Sequence, residues 1–161
     1  MAYDVMQVCL NGHVITDSLR MFPGDDKTHC PRCGAPTISK CEKCQTDIQG
    51  HYRFPDVIVA GRGYKTKPPA FCHSCGTQYP WTQARLVAAR ELAEELEGLS
   101  QGERQTLKVS LDDLVRDTPR TTLAATRFKR IISKAGKGAA DTFKEIIIGV
   151  ISEAAKKVIW P

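Results

Sequence analysis

The sequence predicts an α+β protein in two parts, a small β-rich, metal-bound lobe followed by an all-α helical region. Two observations carry this prediction: all seven cysteines lie in the first half of the 161-residue chain, and apolar residues recur at helical spacing in the second. The composition, with 42% hydrophobic and 25% charged residues, is typical of a folded chain. We place the boundary near residue 82, with one domain over 1–81 and the other over 82–161.

Six of the seven cysteines form three C-x-x-C pairs, and the remaining one, Cys9, is followed four residues later by His13. A C-x-x-C segment folds into a tight knuckle from which both thiolates reach one metal ion. Disulfides are disfavoured because seven is an odd number and the N-terminus carries no export signal. The pattern predicts two tetrahedral zinc sites, with an iron–sulfur cluster as the alternative for a four-cysteine group. The predicted ligands are Cys9, His13, Cys30, Cys33, Cys41, Cys44, Cys72 and Cys75.

These eight ligands can be shared between two ions in two ways. In a tandem arrangement the first four in sequence order bind one ion and the last four bind the other. In a cross-brace, as in RING-type modules, alternate pairs share an ion, and about two or three residues separate the second and third pairs. Seven residues separate Cys33 from Cys41, so the spacing favours the tandem arrangement, although both remain open.

Three segments of the first half, at 4–18, 29–52 and 68–82, resemble a bacterial domain-of-unknown-function family with an N-terminal double zinc ribbon. The motifs that carry the resemblance are C-x-N-G-H, C-x-x-C-G, C-x-x-C and the ending C-H-x-C-G-x-x-Y-P-W-T. The resemblance implies zinc on the eight positions above and a bacterial cytoplasmic setting. It implies no reaction and no substrate.

The remainder of the lobe predicts little regular structure. Strand-forming residues over 52–59, followed by Gly61 and Gly63, predict a short β-hairpin.

The net charge of the chain depends on whether metal is bound. Two zinc ions add four positive charges and seven thiolates remove seven, so the formal net charge of +5 falls to +2 in the metal-bound chain. The high sequence pI therefore overstates any general attraction to phosphate.

The second half predicts about four helices. Apolar residues at helical spacing over 86–96 mark the first, and Ser100 with Glu103 forms a capping box that starts the second, which should run to about residue 117. The third should start at Thr118 and Pro119 and stop at glycines 136 and 138. A fourth, amphipathic helix is expected over about 139–160.

Five basic residues fall on one face of the third helix. One interpretation is a solvated face or one paired with acids of the earlier helices, and the spacing favours it. The other is a contact surface for nucleic acid or anionic lipid. The residues are Arg120, Arg127, Arg130, Lys134 and Lys137.

The last helix carries an apolar face wider than one partner usually covers. Packing within a helical bundle is the default, a homo-oligomer seam or partner groove is the second interpretation, and docking on a membrane surface through Trp160 with Lys156 and Lys157 is the third. The candidate association surface is Phe143, Ile147, Val150, Ile151 and Val158.

The sequence predicts a binding protein and not an enzyme. Four protein ligands for each ion leave no open coordination position, and no glycine-rich phosphate loop, G-x-S-x-G or H-E-x-x-H motif occurs. We expect a cytoplasmic, zinc-binding adaptor that binds a protein partner or a second copy, without a small-molecule substrate. The alternative is a nucleic-acid-binding zinc ribbon that uses the basic residues of the third helix; peripheral membrane contact ranks below both.

Overall fold

The computed structural model describes residues 2–57 and 66–161. The chain divides into two compact units, Met1–Thr82 and Gln83–Pro161. The first contains two small antiparallel sheets and the second is helical. The predicted α+β class, with a metal-binding part followed by a helical part, is therefore confirmed.

The strands of the first unit are only two to four residues long. They form a two-stranded sheet and a three-stranded sheet, both antiparallel, and a short 3₁₀ turn covers Pro23–Asp25. In the first sheet β1 (Tyr3–Val5) pairs with β5 (Gln49–Tyr52); in the second β2 (Gln7–Cys9) lies between β3 (Val14–Thr16) and β4 (Thr37–Ile38). Of the hairpin expected over 52–63, Tyr52 lies at the end of β5, residues 53–57 form no strand, and residues 58–63 lie outside the described residues.

A small buried set holds the first unit together. Met6, Val8 and Ile48 are fully buried, and the rings of Tyr79 and Trp81 stack with centroids 4.6 Å apart. The Trp81 indole donates a hydrogen bond of 2.9 Å to the Pro69 carbonyl. So few buried apolar side chains give strands this short little stabilisation by themselves.

Asp4 is the one acidic side chain of β1, and it is buried. It accepts hydrogen bonds from the amides of Val5 at 2.7 Å and Arg20 at 2.8 Å, and it pairs with the Arg53 guanidinium. Burial raises the pKa of this carboxyl, but these donors outweigh it and hold the pKa below its usual value. Asp4 thereby connects β1 to the residue directly after β5 and to the loop after β3.

The second unit contains five helices instead of about four. Ser100 and Glu103 form the predicted capping box at the start of the second helix, in which each side chain accepts from the other's backbone amide, so that prediction is confirmed. The helices are α1 (Pro80–Glu95), α2 (Gln101–Leu114), α3 (Thr121–Lys134), α4 (Lys137–Ile147) and α5 (Glu153–Ile159).

The prediction of a single helix over 139–160 is wrong, because α4 ends at Ile147 and a separate helix, α5, begins at Glu153. Ser152 caps α5 by accepting a hydrogen bond from the Ala155 amide at 3.2 Å, and its own amide donates to the Leu114 carbonyl at 2.9 Å. The Arg85 guanidinium donates to the Ile146 carbonyl at 2.8 Å, near the end of α4. These bonds satisfy the backbone groups that a continuous helix would have paired internally.

The apolar face proposed as an association surface is the core of the helical unit. Phe143 and Ile147 are fully buried, Val150 and Ile151 are buried and Val158 is half-buried. The Phe143 ring meets Phe128 of α3 edge to face, with centroids 5.4 Å apart. These side chains already have partners within the unit, so the association prediction is corrected to bundle packing. Among the described residues, no helix has the length and hydropathy to cross a bilayer.

Candidate metal centres

The three C-x-x-C segments fold into the same turn. In each, the amide of the first cysteine donates a hydrogen bond of 2.8 Å to the carbonyl of the residue two positions after the second cysteine. The amide of the residue directly after the second cysteine donates to the carbonyl of the first cysteine. Neighbouring residues close each turn as an antiparallel bridge: His29 with Pro36, Lys40 with Asp47, and Phe71 with Gln78. The residue after the second cysteine has a positive φ, of 72° at Gly34, 59° at Gln45 and 71° at Gly76.

Cys9 and His13 form a fourth, related turn at the end of β2. The Cys9 amide donates to the His13 carbonyl at 3.0 Å, and the Gly12 amide donates to the Cys9 carbonyl at 2.8 Å. Gly12 has a φ of 89°, and a Cβ there would lie 3.0 Å from the Trp81 Cβ. The turn therefore needs glycine both for its backbone conformation and for the close approach of the indole.

The first centre brings together Cys9, His13, Cys30 and Cys33. The His13 Nδ1 lies 3.5 Å from the sulfur of Cys9 and 3.5 Å from that of Cys30. The Cys9 and Cys33 sulfurs are 3.7 Å apart. Cys9 and Cys30 are buried, His13 is half-buried and Cys33 is exposed, so one edge of this centre faces solvent.

The second centre brings together Cys41, Cys44, Cys72 and Cys75. The Cys41 sulfur lies 3.7 Å from that of Cys75, and the Cys44 sulfur lies 3.6 Å from that of Cys72. In both centres all donor atoms lie within 4.8 Å of one another. The four-and-four grouping is the tandem one, and the cross-braced alternative is not what the structure contains.

The donor spacing matches a tetrahedral metal ion. With metal–sulfur bonds of about 2.3 Å, the sulfurs on one edge of a tetrahedron are about 3.8 Å apart, and a sulfur and an imidazole nitrogen are about 3.6 Å apart. A disulfide needs an S–S distance of about 2.05 Å, whereas these sulfurs approach no closer than 3.6 Å among the contacts above and all seven cysteines are free. Both clusters are therefore close enough to bind one metal ion each.

Polar groups beside three of the sulfurs favour the thiolate form that a metal requires, whereas burial raises the pKa of the Cys9 thiol. The Asn11 amide donates to the Cys33 sulfur at 3.3 Å, and with the amide of Ala35 it lowers the pKa of that thiol to about 6. The Thr46 hydroxyl lies 3.2 Å from the Cys44 sulfur, and with its own amide it lowers the pKa of Cys44 to about 6. Thr77 lies 3.5 Å from the Cys75 sulfur and lowers the pKa of that thiol in the same way.

The buried hydroxyl of Tyr79 lies near the second centre, and its surroundings are compatible with a thiolate at Cys72. Its hydroxyl is buried and has no hydrogen-bond partner among the described atoms. Burial, followed by the nearby Cys72 sulfur, raises the pKa of this phenol, so the group keeps its proton. A metal-bound Cys72 thiolate would accept that proton as a hydrogen bond, whereas a neutral thiol is a weak acceptor. The orphaned hydroxyl thus fits a metal-loaded site.

Comparison with known protein families decides where the chain belongs. Residues 2–159 match a family described as "Uncharacterized protein conserved in bacteria (DUF2321)". The chain belongs to this family. No curated protein and no solved structure matches the chain. Because the match covers nearly the whole chain, both the cysteine-rich unit and the helical unit are parts of the DUF2321 protein.

Sequence reasoning on this DUF2321 chain found all eight donors but missed the residues that support them. Asn11 lies inside a recognised motif and could have been found, since an amide between a cysteine and a histidine ligand has a donor to offer. Thr46 and Thr77 share a position two residues after a C-x-x-C pair, and that repeat is a usable signal. Tyr79 has no local signal, because its contact with Cys72 depends on the tertiary fold.

The structure divides the five basic residues predicted as a stripe. Arg120 pairs with Asp113 at 3.3 Å, and Lys134 pairs with Glu103, so two of the five are held by acids of α2. Arg127, Arg130 and Lys137 are exposed and have no acidic partner among the described residues. The pairing interpretation therefore describes part of the stripe, and three of its cations face solvent.

Proposed function

We propose that this DUF2321 chain binds two zinc ions in closed structural sites and acts as a non-catalytic interaction protein through its helical unit. The observation that carries the first part is the spacing of the two donor sets, which matches the edges of a tetrahedron with four protein ligands. Sets of three thiolates with one imidazole, and of four thiolates, are the ligand sets of structural zinc.

Two features favour zinc over the iron–sulfur alternative. An iron–sulfur cluster places several atoms between its cysteine sulfurs, whereas the sulfurs here are separated by the width of one ion. The first centre includes His13 Nδ1 at 3.5 Å from two sulfurs, and imidazole together with thiolates is a common zinc ligand set.

Closed coordination argues for a structural role. Catalytic zinc keeps one position for water or substrate, and each set here already supplies four protein donors. The first unit has short strands and a small core, so metal binding would contribute a large share of its free energy of folding. Seven cysteines without a disulfide are typical of a reducing compartment, which supports a cytoplasmic location.

Zinc X-ray absorption on the purified protein tests this proposal. We expect a zinc edge with a first shell dominated by sulfur at about 2.3 Å, and a minor nitrogen contribution from the one imidazole among eight donors. An iron edge would contradict the metal assignment. A water oxygen in the first shell would contradict closed coordination and would return catalysis to consideration.

A second candidate, binding of nucleic acid, is favoured by the three exposed cations Arg127, Arg130 and Lys137. Fluorescence anisotropy with labelled single-stranded RNA tests it, and phosphate binding should weaken steeply as salt rises. Arg127→Ala with Lys137→Ala should then reduce affinity, and Arg120→Ala, whose guanidinium is held by Asp113, is the matched control. Affinity that is absent, or equal in all variants, would exclude this candidate.

A further inference from the structure

The helical unit presents one continuous outer face formed by three helices. On one side of α2, Arg90 pairs with Asp112 at 2.6 Å and Lys108 pairs with Glu94, which links α2 to α1. On the other side, Arg120, which directly precedes α3, and Lys134 of α3 pair with acids of α2, as described above. Helix α2 therefore lies between α1 and α3, and we call the exposed surface of these three helices the α2 face.

Two shallow grooves run along the α2 face and meet at its centre. The groove between α1 and α2 has a volume of about 410 Å³, and the one between α2 and α3 has a volume of about 190 Å³. Gln105 and Val109 line both grooves. Val109 is therefore at the middle of the face, with α1 on one side and α3 on the other.

The large apolar side chains exposed in the helical unit lie on these three helices. Val87 of α1, Val109 of α2 and Leu123 of α3 are 52%, 55% and 47% exposed. Val109 and Leu123 line the same groove, and Val87 is one helical turn before Glu91, which lines the other. An apolar centre within a charged rim is the arrangement found in protein–protein interfaces.

The two edges of the α2 face carry opposite charges. On α1, Glu91 and Glu95 follow Val87 at steps of four residues, and both are exposed without a cationic partner among the described residues. On α3, Arg127 and Arg130 follow Leu123 at steps of four and three, and neither has an acidic partner there. The α2 face therefore has an acidic edge on α1, an apolar centre on α2 and a basic edge on α3.

We propose that the α2 face is the interface for a second copy of this chain, in a twofold dimer whose axis passes near Val109. A twofold axis that runs along α2 at this position places the acidic α1 edge of one copy against the basic α3 edge of the other, and it does so twice. The same rotation brings the apolar centres together. The proposal rests on the proposed function, because it names the partner of the helical unit as the chain itself.

Charge distribution favours a second copy over a polyanion or an acidic peptide. A phosphate backbone or acidic helix lying across the face would approach Arg127 and Arg130 but would also meet Glu91 and Glu95 at the opposite edge. A second copy presents a cation to each acid and an acid to each cation. The face is self-complementary.

Sedimentation velocity on the zinc-loaded full chain tests the proposal over a range of protein and salt concentrations. We expect a species of twice the 17.8 kDa chain mass, with dissociation favoured as salt rises from about 0.05 to about 0.5 M. Arg127→Glu with Arg130→Glu should weaken association by about tenfold or more, because the acidic edge then faces acids. Glu91→Arg with Glu95→Arg should weaken association to a similar extent, because two basic edges then face each other.

A one-to-one mixture of the two charge-reversed variants should restore the dimer, because each copy then meets an edge of opposite charge. The matched control, Lys137→Glu with Lys157→Glu, changes exposed charges on α4 and α5 outside both grooves and should leave association unchanged. A parent chain that stays monomeric, or a dimer that both reversals leave intact, would overturn the proposal. Two zinc ions per chain in a monomer would overturn the dimer while leaving the proposed function standing.

Discussion

One residue in each knuckle adopts a left-handed backbone, and only one of these positions lacks glycine. Gly34 and Gly76 meet the requirement at no steric cost, but Gln45 holds a φ of 59° with a side chain attached. The Gln45 side chain donates to the Glu42 carbonyl at 3.2 Å, an exposed bond that offsets little of this strain.

Exchanging residues between knuckles gives a matched pair of variants. Gln45→Gly should raise the free energy of unfolding by up to about 1 kcal/mol, because it removes the strain, and Gly34→Gln should lower it by about the same amount. Denaturant unfolding of the zinc-loaded protein measures both. Equal destabilisation by the two changes would show that backbone conformation is not what the position requires.

The Tyr79 hydroxyl gives a residue-scale test of metal binding. Tyr79→Phe keeps the ring that stacks on Trp81 but removes the buried hydroxyl beside Cys72. If that hydroxyl donates to a metal-bound thiolate, the variant should hold zinc at the second centre about tenfold more weakly, with the first centre unchanged. Competition with a chromogenic chelator measures both affinities. An unchanged second affinity would mean that the hydroxyl stays unpaired in the metal-loaded protein.

At the scale of elements, features that depend on residues close together in the sequence could be predicted, whereas features that depend on tertiary contacts could not. The knuckles and the Ser100 capping box depend on residues within five positions of one another, so both could be predicted. The break between α4 and α5 could not, because the apolar period runs on through it and the bond from Ser152 to Leu114 joins distant parts of the chain. Similarly, nothing local distinguishes a face that packs inside the unit from one that binds a partner.

The buried position of Ile147 makes the core assignment testable. Ile147→Asp would place an unpaired carboxylate among apolar side chains and should cost more than about 4 kcal/mol, enough to abolish cooperative unfolding of the helices. Ile148→Asp, at the half-buried neighbouring position, is the control and should cost far less. Circular dichroism during thermal unfolding measures both. A folded Ile147→Asp protein with altered association would instead support an exposed seam.

At the scale of the whole molecule, we expect the two units to depend on different sources of stability. The first unit has short strands and two metal centres, whereas the second has five helices around buried side chains that include Phe128, Phe143 and Ile147. This division could be predicted, because the cysteine pairs lie only in the first half of the chain and apolar residues recur at helical spacing in the second half. The supporting contacts to the sulfurs were not predictable because they come from side chains brought together by folding.

Removal of zinc should therefore unfold one unit and spare the other. With a strong chelator under reducing conditions, we expect the near-ultraviolet signal of Trp81 and Tyr79 to be lost while most helical signal at 222 nm remains. Circular dichroism of the full chain before and after chelation measures this, and added zinc should reverse it. Loss of the helical signal in parallel would contradict separate stabilities.

The central claim, two closed sites with tandem ligands, is tested most directly by native mass spectrometry combined with cysteine alkylation. The parent chain should carry two zinc ions, and Cys33→Ser and Cys75→Ser should each carry one. In the Cys33→Ser protein only Cys9 and Cys30 should become reactive, while the four cysteines of the second centre stay protected. One ion per parent chain, or alkylation in both centres after a single substitution, would contradict the account.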